Sequence, residues 1–235
     1  MSTTHLFAMG GGSWTGPSGG PSPMWRHILA QAGKTHPKVC IIPTATGDRR
    51  ETITDFVFGM HRLRAHPNYL SLYATPTDDL ESWIMEFDAV FVSGGNTRNL
   101  LALWREWGLD AVLRRAWERG VVLFGGSAGA ICWFEQGNSD FISDQFNPID
   151  GLGWLPGSVA PHYATENGRR ASYQAMMAAG RIRPGYGLSD RGVLHYVDGR
   201  LHEALTEHPD FGVFRVERAA DGTAVEVPVP ARLIQ

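Results

Sequence analysis

The stretch VVLFGGSAGAICWF, residues 121–134, sets one small hydroxyl between glycines where an apolar run gives way to a helical pattern. Gly125, Ser127 and Gly129 have the spacing G-x-S-x-G. On a tight strand-to-helix turn such a serine is held in a strained conformation with its side chain exposed. The flanking residues must be small because the backbone passes close on both sides. The helix that follows directs free N–H groups and its positive dipole end at the same point. Ala128 N–H is then a natural half of an oxyanion hole. A second glycine corner, Gly94-Gly95-Asn96 after the run AVFVS, offers Gly95 N–H as the other half, with Asn96 beside it as a substrate contact.

The same corner could be a tightly packed βα turn or a phosphate loop. The lysine of a P-loop is absent, and the first strand lacks G-x-G-x-x-G. A serine hydroxyl is a weak nucleophile until an imidazole takes its proton, and a carboxylate should orient that imidazole. Nine histidines compete. His27, His61 and His66 lie on helical patterns and His36 in a loop, which reads as surface. His195 and His202 fall in a late hairpin, where strand alternation accounts for them. His162, in GSVAPHYATE, follows a short apolar run stopped by Pro161 and reads as another strand end, so it is the expected base. For the acid, Asp190 in GLSDRG ends a later strand-like run, while Asp140 and Asp144 in the loop GNSDFISDQF are rivals.

These residues need a scaffold that brings distant strand ends together. HLFAMG reads as a first strand, and Ser22-Pro23 opens a helix that Gly33 closes. KVCIIPTA is a buried strand and ETITDFVFGMHRLRAH an amphipathic helix. YLSLYAT, AVFVSGGN and VVLFGG are further strands, with helices around Asp78–Glu86 and Thr97–Glu118. Continuous apolar strands alternating with helices argue for a parallel sheet covered on both faces, and ligands bind outside the carboxyl ends of such strands. Asp198-Gly199 and Asp221-Gly222 each sit between alternating runs, so two hairpins add antiparallel strands near the C-terminus. The expected fold is α/β, three-layer α/β/α, with a mostly parallel sheet.

At 235 residues the chain reads as a single domain, 1–235, with no internal repeat. Hydrophobic residues make up 43% and charged residues 19%, enough for a sizeable core. A net charge of −3 with scattered Lys and Arg argues against a nucleic-acid partner. The N-terminus lacks a basic region before a long apolar core, and no run approaches ~18 apolar residues, so the expected setting is cytoplasmic, away from membranes. Cys40 and Cys132 belong to no ligand cluster and read as buried structural thiols.

VSGGNT, GGSAGAICWFE and LPGSVAPHY, in that order, together with FAMGGGS and IIPTATGD, resemble the peptidase E family of serine peptidases, from about Met9 to Asp198. The resemblance implies a fold related to class I glutamine amidotransferases, with serine replacing their cysteine. It implies a cytoplasmic peptidase with no metal or other cofactor. Ser127 matches the family nucleophile and His162 its base. The third member matches Asp140 or Asp190, and Asp190 is preferred because a base-orienting group should sit on a rigid strand end. Well-known members cleave dipeptides with N-terminal aspartate, and their arginine best matches Arg170 in ENGRRASYQ, with Arg169 next to it. Cyanophycinase, an amidase or acyl transferase on this scaffold, and a non-catalytic binding module are the alternatives. A small peptide is the expected partner, and apolar edge hairpins could support a homodimer.

Overall fold

The computed structural model describes residues 3–142 and 145–235. Strand β1 (His5–Met9) leads through a glycine-rich loop to helix α1 (Pro23–Ala30), whose cap Ser22 accepts the Trp25 N–H at 3.1 Å. Strand β2 (Lys38–Ile42), helix α2 (Arg50–Arg62) and strand β3 (His66–Tyr69) follow. Then come α3 (Leu80–Ile84), β4 (Ala89–Val92), α4 (Thr97–Trp107), α5 (Leu109–Glu118) and β5 (Val122–Gly126). The short helix α6 (Ala128–Ile131) leads into β6 (Phe134–Ile142), β7 (Gln145–Asp150) and β8 (Leu155–Ala160). Helix α7 (Arg169–Ala178) and β9 (Gly185–Leu188) precede β10 (Gly192–Val197), β11 (Arg200–Thr206), β12 (Val213–Arg218), β13 (Ala224–Val229) and β14 (Ala231–Leu233).

The strands form two sheets. The larger has the order β14-β11-β10-β1-β5-β4-β2-β3, with β1, β5, β4, β2 and β3 parallel. The smaller runs β13-β12-β9-β8-β6-β7, parallel only through β9, β8 and β6. Period-two alternation sorts the larger sheet's side chains onto two faces. Phe7, Met9, Val39, Ile41 and Phe124 pack on Trp25 and Ile28 of α1 and on Phe56 and Met60 of α2. Leu6, Ala8, Ile42, Val90 and Leu123 share a second cluster with α4, α5 and α6, and with Phe134, Leu155 and Val159 of the smaller sheet. Helix α7 covers the far side of that sheet with Tyr173 and Met177.

The α/β class and the parallel central strands agree with the sequence; four details differ. The two hairpins separate: β10–β11 extends the larger sheet beside β1, and β12–β13 extends the smaller. The first turns at Asp198 (φ 50°) and Gly199 (φ 73°), both left-handed as a tight hairpin requires. The helix expected over Thr97–Glu118 is two helices, because Gly108 adopts φ 63° and caps α4. In YLSLYAT only Tyr69 is in a strand, since Ser71 Oγ takes the N–H groups of Tyr73 and Ala74 and turns the chain. The helical pattern after Ser127 is confined to one turn, Ala128–Ile131, before β6 begins at Phe134. Cys40 and Cys132 are free and buried, and burial pushes both thiols up. No helix among the described residues is long and apolar enough to cross a membrane.

Candidate active site

Three consecutive carbonyls at the end of β1 gather three distant chain segments. Met9 C=O accepts Ser127 N–H at 3.2 Å, Gly10 C=O accepts His162 N–H at 3.0 Å, and Gly11 C=O accepts Arg191 N–H at 3.1 Å. Ser127, His162 and Asp190 thus stand around one strand end. They line one cleft of about 580 Å³ with Gly95, Asn96, Asp140, Thr165, Glu166, Asn167 and Arg169.

Ser127 adopts φ 55° and ψ −117°, a region costly for any residue with a Cβ. Its neighbours explain how the turn fits. A Cβ at Gly125 would overlap Gly129 C=O, and one at Gly129 would overlap Val92 C=O on β4. Gly95, at φ 133°, passes against the backbone of Ala45 and Thr46. Ala130 and Ile131 N–H both return to Ser127 C=O, at 2.9 and 3.0 Å, so Ala128 N–H lies at the open end of the turn.

His162 follows β8 and Pro161 with φ 52°. Its Nδ1 lies 2.6 Å from Asp190 Oδ1. Partial burial alone would raise the Asp190 carboxyl. The hydrogen bond and charge of His162, the Thr165 hydroxyl and Arg191 outweigh it and hold the group below the ordinary carboxylate range. Asp140 lines the cleft too, but its Oδ1 is 3.5 Å from Arg169 Nη2. Of these two acids, Asp190 is the one bonded to His162. Asp140 lies within β6, not in a loop, so strand rigidity does not separate the pair; direction does. Asp144 lies outside the described residues.

Arg170 is a correction. It is absent from the cleft lining, and its guanidinium grips Glu226 on β13 and lies over Tyr163 and Phe214. Adjacent residues on a helix point about 100° apart, and here it is Arg169 that turns inward. Arg169 is 2% exposed, with Nη2 2.6 Å from Glu166 Oε2 and Nη1 donating to Asn138 C=O at 2.8 Å. Asn96 lines the cleft, yet its side chain caps α4 by accepting Asn99 N–H at 3.0 Å and donates to Phe141 C=O at 3.2 Å. Glu166 and Thr165 were not singled out from the sequence. The acidic residue four after His162 in HYATE was their only signal.

Gly11 has a specific duty. A Cβ there would overlap both Asp190 Oδ1 and the His162 ring. Gly11→Ala is expected to push the pair apart and lower kcat/KM about 100-fold, with an unchanged circular-dichroism spectrum. Retention of full activity would show that the pair's spacing is not used.

The chain is similar to known peptidases over most of its length. The uncharacterized peptidase YgaJ of Bacillus subtilis (strain 168) is 39% identical over 230 residues, covering 98% of this chain and 99% of its own length. A crystal structure from Listeria monocytogenes EGD-e, assigned provisionally to peptidase E, superposes with a TM-score of 0.65 at 17% identity, covering 87% of this chain and 99% of that one. A peptidase from an acI-B1 Actinobacterium gives 0.67 at 16% identity, with 97% and 94% covered. At those identities the two structures speak for the fold. The model of peptidase family S51 matches residues 6–204. With its serine corner, its strand order and a full-length peptidase relative, the chain belongs to peptidase family S51 and is a serine-type peptidase.

Proposed function

We propose that the protein hydrolyses short peptides next to a free N-terminus through an acyl-enzyme on Ser127. The supporting observation is the Ser127 corner, strained at φ 55° and ψ −117°, opening on the same cleft as a hydrogen-bonded His162–Asp190 pair. In this reading residues 121–134 form a nucleophile elbow. His162 takes the hydroxyl proton as Ser127 Oγ attacks the peptide carbonyl. Gly95 and Ala128 N–H groups hold the developing oxyanion, and each such donor typically contributes about 100- to 1,000-fold in rate. His162 then gives the proton to the leaving amine. Water, deprotonated by the same imidazole, releases the acyl group and restores Ser127. Asp190 keeps the imidazole in the tautomer that leaves Nε2 free to accept.

Charge in the cleft bears on the substrate. Asp140, Glu166 and Asp190 face it with Arg169 and His162. The Arg169 charge is already answered by Glu166 at 2.6 Å and Asp140 at 3.5 Å. An acidic first side chain would therefore compete with two carboxylates for that cation, whereas a free ammonium finds them waiting. Dipeptides beginning with Asp, Ala and Lys are expected to differ in kcat/KM by less than about tenfold, and N-acetylation to cost more than any of those exchanges, at about 100-fold for a charged contact left unmade. A strong preference for Asp-first peptides would overturn the substrate part of this reading and make Arg169, in place of the expected Arg170, the acid receptor. A fluorophosphonate probe tests the chemistry separately. It should label Ser127 in the wild type and fail in His162→Ala; equal labelling of both would remove His162 as the base.

A further inference from the structure

Away from the cleft, the fold brings a second set of reactive side chains together. His27 on α1, His195 on β10 and Glu203 on β11 each present one ligand atom, and the three atoms lie within 4.8 Å of one another. Each of the two histidines has one ring nitrogen without a hydrogen bond among the described residues. These nitrogens, His27 Nε2 and His195 Nδ1, are covered from solvent. His195 as a whole is 3% exposed. Its Nδ1 stands 3.7 Å from Glu203 Oε1, beyond hydrogen-bond reach. Buried polar atoms are nearly always paired, so two bare imidazole nitrogens beside one carboxylate call for a common partner.

The other nitrogen of His195 fixes which atom can ligate. His195 Nε2 lies 3.0 Å from His5 Nδ1. When Nε2 carries the proton and donates it to His5, Nδ1 keeps its lone pair. A metal-bound imidazole takes this arrangement, its far N–H held by an outer partner. Stacking on Phe7, with ring centroids 3.9 Å apart, holds the ring in place. Glu203 is likewise oriented from outside: Arg232 Nε donates to Oε2 and Nη2 to Oε1, both at 2.8 Å. A carboxylate has about four lone-pair sites, so Oε1 retains one for a further ligand.

We propose that His27, His195 and Glu203 form a structural Zn²⁺ site that ties α1 to the β10–β11 hairpin. Two imidazoles and one carboxylate are a donor set that zinc accepts, with solvent as the fourth ligand. Zinc holds such atoms at about 2.0–2.2 Å, so the trio must draw together by about an ångström, within the reach of the half-buried His27 and Glu203 side chains. The ion takes no part in the Ser127 chemistry.

Protein purified through a chelator and titrated calorimetrically with Zn²⁺ is expected to bind one equivalent. Co²⁺ in its place should give the strong visible absorption of a four-coordinate site. His27→Gln and Glu203→Gln each remove one ligand and should weaken Zn²⁺ binding more than about tenfold while leaving peptide hydrolysis unchanged. His5→Ala, which removes only the acceptor of the His195 N–H, should weaken it by about 10- to 100-fold. Saturating Zn²⁺ should raise the Tm of the wild type and not that of His27→Gln. Absence of Zn²⁺ binding to the wild-type protein, or binding that survives both His27→Gln and Glu203→Gln, overturns the assignment.

Discussion

Ser127→Ala is expected to lower kcat by about a million-fold, with the fold and the cleft unchanged. The size follows from how the three groups act. In the proposed mechanism no acyl-enzyme forms without the hydroxyl, and His162 and Asp190 are left orienting each other with nothing to deprotonate except water. His162→Ala should cost about as much, and the double substitution little more than either, because residues that act as a unit do not add. Loss of activity that summed across the two changes would mean that they serve different steps. Ser127 also offers a readout independent of turnover. Its φ of 55° with ψ of −117° is a backbone state that costs a residue bearing a Cβ about 1–3 kcal/mol. Ser127→Gly removes the Cβ and should raise Tm by several degrees while abolishing hydrolysis. Ser127→Ala keeps the Cβ and should leave Tm near that of the wild type. A serine selected only for packing would show no such exchange of stability for activity.

The serine corner was legible because its requirements are local. Gly125 has to be small for the Gly129 carbonyl within the same turn, and a buried strand before it is visible in four apolar letters; Gly129 alone answers to a distant neighbour, Val92 C=O on β4. His162 was legible for a similar reason, as a proline-stopped strand end. What the sequence could not show are contacts made across the fold. The glycines after β1 read as a loop, whereas their carbonyls and the preceding one at Met9 are where the segments of Ser127, His162 and Asp190 are fastened. Arg169 and Arg170 differ in sequence by nothing that says which turns inward. That choice is made by Asn138 and Glu166 on one side and Glu226 on the other, residues up to 56 positions away. The second sheet was hidden because β6 is mostly polar and β8 and β9 are short and rich in glycine, and their pairing is set by burial against Trp133, Ile131 and α7 rather than by their own pattern.

The choice between the two acids is decided by Asp190→Asn, which is expected to lower kcat about 10,000-fold with little change in KM. An amide in place of the carboxylate can present N–H to His162 Nδ1. That favours the tautomer with its proton on Nε2, the atom that must be bare to accept from Ser127. The geometry assigns the contact, 2.6 Å from Nδ1 to Oδ1, to Asp190 alone of the two candidates. Asp140→Asn should therefore spare kcat. Its effect belongs to KM, because Asp140 faces Arg169 across 3.5 Å and borders the proposed ammonium position. Acid titration gives an independent check. Asp190 is held below its ordinary value, so the folded protein favours the anion. The stability this contributes is complete above the unfolded carboxylate pKa of about 3.9 and is lost as pH falls through the lower folded value. Asp190→Asn should accordingly lose stability relative to the wild type at neutral pH and converge with it in strong acid, whereas activity in the wild type should not decline on the acid side through protonation of this carboxylate until below its ordinary range. If Asp140→Asn produced the large kcat loss and Asp190→Asn did not, the hydrogen bond seen between Asp190 and His162 would not be the one that orients the base during turnover.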